Sequence, residues 1–276
     1  MSILNGIPAS DGIAIGPAYK LGKEVFNIFK QPISEEEIPT QIQLFEEALI
    51  QTRKEIIALQ ERISREMGRE TAEIFDAHLL VLEDRMLIEE VISRLKQERL
   101  NVAYIFSEVL KKYIEIFSKI EDEYLRERVG DISDVGKRIL RKLTGKEHLS
   151  LDKLKERVIV VAHDLSPSDT ATMHKRTVAA LVTDVGGKTS HTAIMAKSLE
   201  IPAVVALKDA TSKIENEDLL IVDGTEGLVI INPDKETLEK YRQKEEKFLN
   251  LTERFMATKD LPAFTLDGIL IKVLAN

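Results

Sequence analysis

His191 closes the run Thr183-Asp184-Val185-Gly186-Gly187-Lys188-Thr189-Ser190-His191, which continues as Thr192-Ala193-Ile194-Met195-Ala196-Lys197. The apolar residues ending at Val182 have the texture of a buried strand, and two glycines permit a tight turn. Ser190 or Thr189 can cap the helix that follows. His191 then falls in the first helical turn, beside unpaired backbone N–H groups and the positive end of the helix dipole, a setting that favours an anion. An imidazole there can serve as a nucleophile. Its phosphorylated form would be stabilised by Gly186, Gly187, Lys188, Thr189 and Ser190 through N–H groups, hydroxyls and one positive charge. Spacing alone favours a surface or capping role over a catalytic one.

Such a loop needs a strand behind it and a helix ahead of it, and the surrounding sequence alternates in that way. Arg157–Val161, Val178–Val182, Ala203–Val205, Leu219–Val222 and Leu228–Ile231 read as short strands, with turns at Asp223-Gly224 and Glu226-Gly227. Gly12–Tyr19 reads as an earlier strand, and Ser166–Thr170 opens a helix with Pro167 suited to its first position.

Between Glu24 and Gly145 the pattern is helical. Ser34-Glu35-Glu36-Glu37 has cap-and-acid chemistry, with Pro39 delaying the regular helix. Ile42, Phe45, Leu49, Ile56, Leu59 and Ile63 follow a 3–4 spacing, with Thr52 the one polar member of the seam. Gly68 marks a break, and further helices are expected over Glu70–Leu82, Met86–Gln97, from a cap at Asn101, and over Asp122–Leu143. The expected organisation is an α/β domain (1–22 and 146–232) interrupted by an all-helical bundle (23–145). A charged linker helix (233–260) follows, and residues 261–276 begin a strand with no partner of its own, as at the entrance to another domain.

The net charge of −8 argues against nucleic acid as the main partner. The absence of cysteine removes disulfides and thiolate chemistry. The N-terminus lacks a signal peptide and no apolar run is long enough to span a membrane, so a cytoplasmic protein is expected. None of the other histidines, His78, His148, His163 and His174, has metal-ligand spacing, and no metal is expected. His148, His163 and His174 read as surface residues. Residues 23–145 carry 25 acidic against 20 basic side chains, an excess suited to steering a basic partner.

The string from Gly186 to Ala196 closely resembles the phosphohistidine signature of the phosphoenolpyruvate-utilising enzymes. These include Enzyme I of the bacterial phosphotransferase system, pyruvate phosphate dikinase and phosphoenolpyruvate synthase. The helical insertion favours Enzyme I. So do Gly12 to Ala18, Ile74 to Asp84, Asp122 to Arg128, Asp131 to Arg138 and the terminal Leu266 to Asn276. The other two enzymes hold an ATP-binding module, and no phosphate loop appears here. The resemblance covers essentially the whole chain and implies an α/β phosphohistidine (swivelling) domain with an inserted helical subdomain that docks HPr, a small phosphocarrier protein.

It further implies phosphorylation of His191 by phosphoenolpyruvate bound in a C-terminal barrel with Mg²⁺, then transfer to HPr; no cofactor is implied for this chain itself. Thr170 would orient His191. His78, Glu70, Glu73, Glu83 and Asp84 would meet the partner. The chain alone would be monomeric and the full-length enzyme a homodimer. Lys188 and Lys197 depart from the arginine of many relatives, which removes a planar two-pronged phosphate contact. Two other readings are a dikinase- or synthase-type phosphohistidine domain and a non-catalytic helical interaction module.

Overall fold

The computed structural model of the chain describes residues 1–271 except 23, 25, 121–122, 147–150, 152–153, 155, 172, 259–261 and 266. Three strands come first: β1 (Ser2–Asn5), β2 (Ile7–Ser10) and β3 (Ile13–Lys20). Ser34 and Glu37 form a reciprocal capping box, Glu37 accepting the Ser34 N–H at 2.8 Å. A single 3₁₀ turn at Glu35–Glu37 then leads into α1 (Ile38–Met67), with Pro39 in its first turn.

After α1 come α2 (Arg69–Ala72), α3 (Ile74–Leu82), α4 (Arg85–Glu98), α5 (Val102–Ser118) and α6 (Glu123–Thr144). The α1 seam buries Phe45, Ile56 and Ile63 completely, and Phe45 meets Phe106 of α5 with ring centroids 5.5 Å apart. Thr52 is also fully buried, its hydroxyl without a hydrogen-bond partner among the described residues. The helix expected over Glu70–Leu82 is two. Gly68 turns the chain at φ +95°, and the tighter bonds Glu73 N–H to Glu70 O and Asp76 N–H to Glu73 O separate α2 from α3. Asn101 stands at the start of α5, but its side chain accepts the Gln31 N–H at 3.0 Å, and Gln41 accepts the Val102 N–H.

The remaining elements are β4 (Val158–Ala162), α7 (Pro167–Ala171), β5 (Val178–Thr183), α8 (His191–Ser198), β6 (Ala203–Val205), α9 (Ala210–Lys213), β7 (Leu219–Asp223), β8 (Leu228–Ile231), α10 (Lys235–Thr258), β9 (Ala263–Phe264) and β10 (Leu270–Ile271). Eight strands form one sheet in the order β1-β8-β7-β3-β4-β5-β6-β2, with β3 through β6 parallel and the rest antiparallel. Both faces of β4 and β5 are covered, so every residue in them is buried.

Only Gly6 separates β1 from β2, yet they pair with strands at opposite ends of the order. The sheet therefore curls until its edges meet. Gly224 lies at that seam: its N–H donates to Gly12 O at 2.8 Å, and a Cβ there would overlap the Ser10 carbonyl.

The α10 helix is more than a connector. Tyr241 is buried against Ile221 and Ile230, and Lys244 lies 3.6 Å from Asp223 and 4.8 Å over the Tyr241 ring. Its first half thus belongs to the sheet, while Leu249, Leu251 and Phe255 further on are exposed. The late strand expected to be unpartnered pairs at Leu270–Ile271 with β9. Among the described residues no helix is long and apolar enough to cross a membrane.

The seam yields a contrast. Gly224→Ala should lower stability in urea denaturation by about 1–3 kcal/mol, the usual cost of overpacking. Gly187→Ala should leave the urea midpoint nearly unchanged, because an added Cβ would meet nothing within 4 Å.

Candidate functional site

The loop between β5 and α8 is held by Asp184. Its carboxylate is 4 % exposed and accepts the Thr211 N–H at 2.9 Å, the Thr211 hydroxyl, and Nδ1 of His163 at 3.1 Å. Burial pushes its pKa up, but the two Thr211 bonds and His163 outweigh that and hold it below the ordinary carboxylate value. The backbone is pinned as well: Asp184 N–H donates to Ala162 O, Val185 N–H to His163 O, and Lys208 N–H to Asp184 O. Ala206 and Lys208 take positive φ in the segment that supplies this last bond.

With the loop fixed, Gly186 turns the chain at φ +113°, a conformation that favours glycine. The Ser190 N–H bonds Gly187 O, and the Ser190 hydroxyl accepts the Ala193 N–H at 3.3 Å. Ser190, not Thr189, is therefore the cap, and His191 is the first residue of α8. The N–H groups of His191 and Thr192 have no acceptor within the helix, as at any helix start.

His191 is half-buried, while Val185 on the loop before it and Ile194 on the helix after it are exposed. Lys188 and Thr189 are exposed, and no ion pair engages Lys188 among the described residues. Lys197 sits at the other end of α8, where its charge complements the dipole. At the rim stands Asp164. Burial raises its pKa, against the Leu165 N–H and the charges of His163, Lys137 and His191. Lys137 belongs to α6, so the inserted helices bring a positive charge toward Asp164.

Thr170 is buried on α7, a helix packed against α8. Its hydroxyl proton is directed at the carbonyls of Ser166 and Pro167, both at 3.1 Å, and no hydrogen bond joins it to His191 among the described residues. The two segments meet instead through the Thr192 hydroxyl, which donates to Leu165 O at 3.4 Å. Met195 of α8 and Ala171 of α7 insert into the apolar cluster of the helical bundle.

His78 requires a correction. Expected at a partner surface, it is 0 % exposed, with Nδ1 at 3.2 Å from Ile74 O and Nε2 at 3.1 Å from Asp134. It cannot touch a docking protein in this state. Asp84 caps α4, accepting the Met86 and Leu87 N–H groups. Glu70 and Glu73 are exposed, and Glu83 is exposed and 3.4 Å from Arg53.

Beside these acids, Leu80 is 67 % exposed and Met86 72 %. These two residues were not singled out from the sequence. The available signal was the unbroken run Leu79-Leu80-Val81-Leu82, which no single buried helical face can absorb. An open groove between α1 and the α2–α3 segment is lined by Gln60, Arg65, Arg69, Glu73 and Asp76 and adjoins this face.

Of the histidines read as surface residues, His174 is exposed, His163 is engaged by Asp184, and His148 lies outside the described residues. Among the described residues no group of three or more His, Cys, Asp or Glu is placed to hold a metal ion.

Comparison with known proteins adds a second line. The model of the PEP-utilising enzyme N-terminal domain matches residues 5–128, and that of the PEP-utilising enzyme mobile domain matches residues 154–227. A solution structure described as Enzyme I (nEIt) is 46 % identical, with a TM-score of 0.71 over 89 % of this chain and 99 % of that one. The chain belongs to the Enzyme I family. Phosphoenolpyruvate-protein phosphotransferases of this family from Bacillus subtilis and Staphylococcus carnosus are 39 % and 38 % identical over 100 % and 99 % of the chain. The chain spans about half the length of these curated relatives, 48 % and 47 %.

The Asp184 clamp gives a pH-dependent prediction. Its pKa is lowered in the folded state, so its stabilisation is present above the unfolded value of about 3.9 and is lost as pH falls through the folded one. Asp184→Asn should cost on the order of 2 kcal/mol at pH 7, the scale of a charged hydrogen bond. Urea titrations of the two proteins should converge as pH drops below about 4.

Proposed function

We propose that this chain is the phosphotransfer half of an Enzyme I: His191 accepts a phosphoryl group and passes it to a histidine of HPr. The observation that carries this reading is His191 at the first position of a capped helix, on a loop held by a buried carboxylate. The activity of the relatives, phosphoenolpyruvate-protein phosphotransfer, supports the same chemistry.

In this reading, residues 1–22 and 146–232 form the swivelling phosphohistidine domain, residues 23–145 the HPr-binding subdomain and residues 233–260 the link to a C-terminal barrel. That barrel, in the full-length enzyme, binds phosphoenolpyruvate with Mg²⁺ and joins two subunits, while the present chain is monomeric. Neutral imidazole is nucleophilic near pH 7, and a phosphoryl group on it remains reactive. In the transfer to HPr, the lone pair of the HPr imidazole nitrogen attacks phosphorus in line. The P–N bond to Nε2 of His191 breaks, and Nε2 keeps the electron pair. Positioning and charge stabilisation, not proton transfer, govern the step. The helix-start N–H groups, the Ser190 and Thr189 hydroxyls, Gly186, Gly187 and Lys188 stabilise the bound phosphoryl group, and Thr170 orients the ring from α7. Val185 and Ile194 would be covered by a docked partner, excluding water from the transfer.

The docking face centres on Leu80 and Met86, rimmed by Glu70, Glu73 and Glu83, an apolar spot with an acidic border suited to a basic partner.

Incubation with labelled phospho-HPr should place acid-labile, alkali-stable label on the chain, and His191→Ala should abolish it. An unlabelled wild type, or label retained by the variant, contradicts the reading. On the docking face, Leu80→Asp should raise the half-saturating HPr concentration about tenfold or more, ~1.4 kcal/mol of binding, with the maximal rate kept. An unchanged half-saturation moves docking elsewhere.

A further inference from the structure

The pair His78–Asp134 belongs to a longer chain of buried groups that the transfer chemistry does not use. Nε2 of His78 on α3 faces Asp134 of α6 at 3.1 Å, and the Ser168 hydroxyl of α7 donates to the same carboxylate oxygen. Nε of Arg138, one turn along α6, donates to the Ser168 hydroxyl at 2.7 Å, and its Nη1 lies 3.4 Å from Glu55 of α1. His78, Asp134, Ser168 and Arg138 are each at most 7 % exposed.

The donor directions leave no freedom. Ile74 O can only accept, so Nδ1 of His78 carries a proton. Asp134 is an ionised acceptor: burial raises its pKa, but the His78 hydrogen bond, the Arg138 and His78 charges and Ser168 bring it well below the ordinary range. Nε2 therefore faces a carboxylate acceptor, so both ring nitrogens of His78 are engaged. Ionic groups sealed from water seldom add net stability over apolar packing, but they fix one arrangement of their elements.

The element fixed here is α7, which at five residues is too short to hold itself. It is seated by the Ser168–Asp134 bond and by Arg62 of α1, which donates to Ala171 O. It packs in turn on α8, the helix that begins at His191, and Thr170 lies two residues beyond Ser168. The other side of α3 carries exposed Leu80.

We propose that His78, Asp134, Arg138 and Ser168 are positioning residues for the transfer: they seat α7 and, through it, set the orientation of the His191 ring. The inference rests on His191 being the phosphoryl acceptor.

Ser168→Ala and Arg138→Lys in the 276-residue chain test it, each checked for folding by urea denaturation, so that if one fails to fold the other is read. The nitrogen and carbon-bound proton signals of the His191 ring should shift. The maximal rate of exchange with phospho-HPr should fall about tenfold, the lower end of the range for removing an orienting partner, with half-saturation within about twofold. Folded variants with unchanged ring signals and rate but a lower urea midpoint would overturn the proposal, leaving the cluster purely structural. A raised half-saturation at unchanged maximal rate would also overturn it, assigning the cluster to docking. If the wild-type chain takes no phosphate from HPr, the functional reading fails, and the ring signals alone decide the positioning claim.

Discussion

The place of His191 in space depends on one buried carboxylate. Asp184 joins the end of β4, the glycine loop and the start of α9 through His163, its own backbone and Thr211. Without that clamp the loop would be a stretch of glycine and polar residues with little reason to hold one shape. With it, Gly186 delivers the chain to Ser190, the cap forms, and the first N–H groups of α8, those of His191 and Thr192, are left without acceptors in the helix.

A second constraint joins the sheet to the inserted helices. Met195 and Ala171 lie in the bundle's apolar cluster, and Arg62, Asp134 and Arg138 reach across to α7. The histidine helix is thus gripped on one face by the inserted helices. Apolar packing supplies the affinity of that seam. The buried polar chain supplies its register, since its hydrogen bonds join α3, α6 and α7 at fixed positions.

Much of this was legible in the sequence, for identifiable reasons. The Ser34–Glu37 box, the Ser190 cap, the α1 seam and the stop at Gly145 are local signals, and local signals survive in one dimension. What was not legible depends on distant partners. The strands β1 and β2 are four residues each and find their neighbours across the closed sheet, so no alternating run announced them. His78 lies between apolar residues, a pattern shared by core and interface histidines, and Asp134, which decides between them, is 56 positions away. Leu80 belongs to an unbroken apolar run, and the run alone does not show which of its members faces out. Asp184 was in view as part of the glycine stretch, but only its partners Thr211 and His163 reveal its work.

The central claim is that one nitrogen of one histidine carries the phosphoryl group. Long-range proton–nitrogen NMR of the chain, recorded before and after incubation with phospho-HPr, reads each imidazole nitrogen separately. The account predicts a phosphoryl-induced shift at Nε2 of His191 and none at the rings of His78, His163 or His174. A phosphoryl signal on another ring, or on Nδ1 of His191, would contradict it.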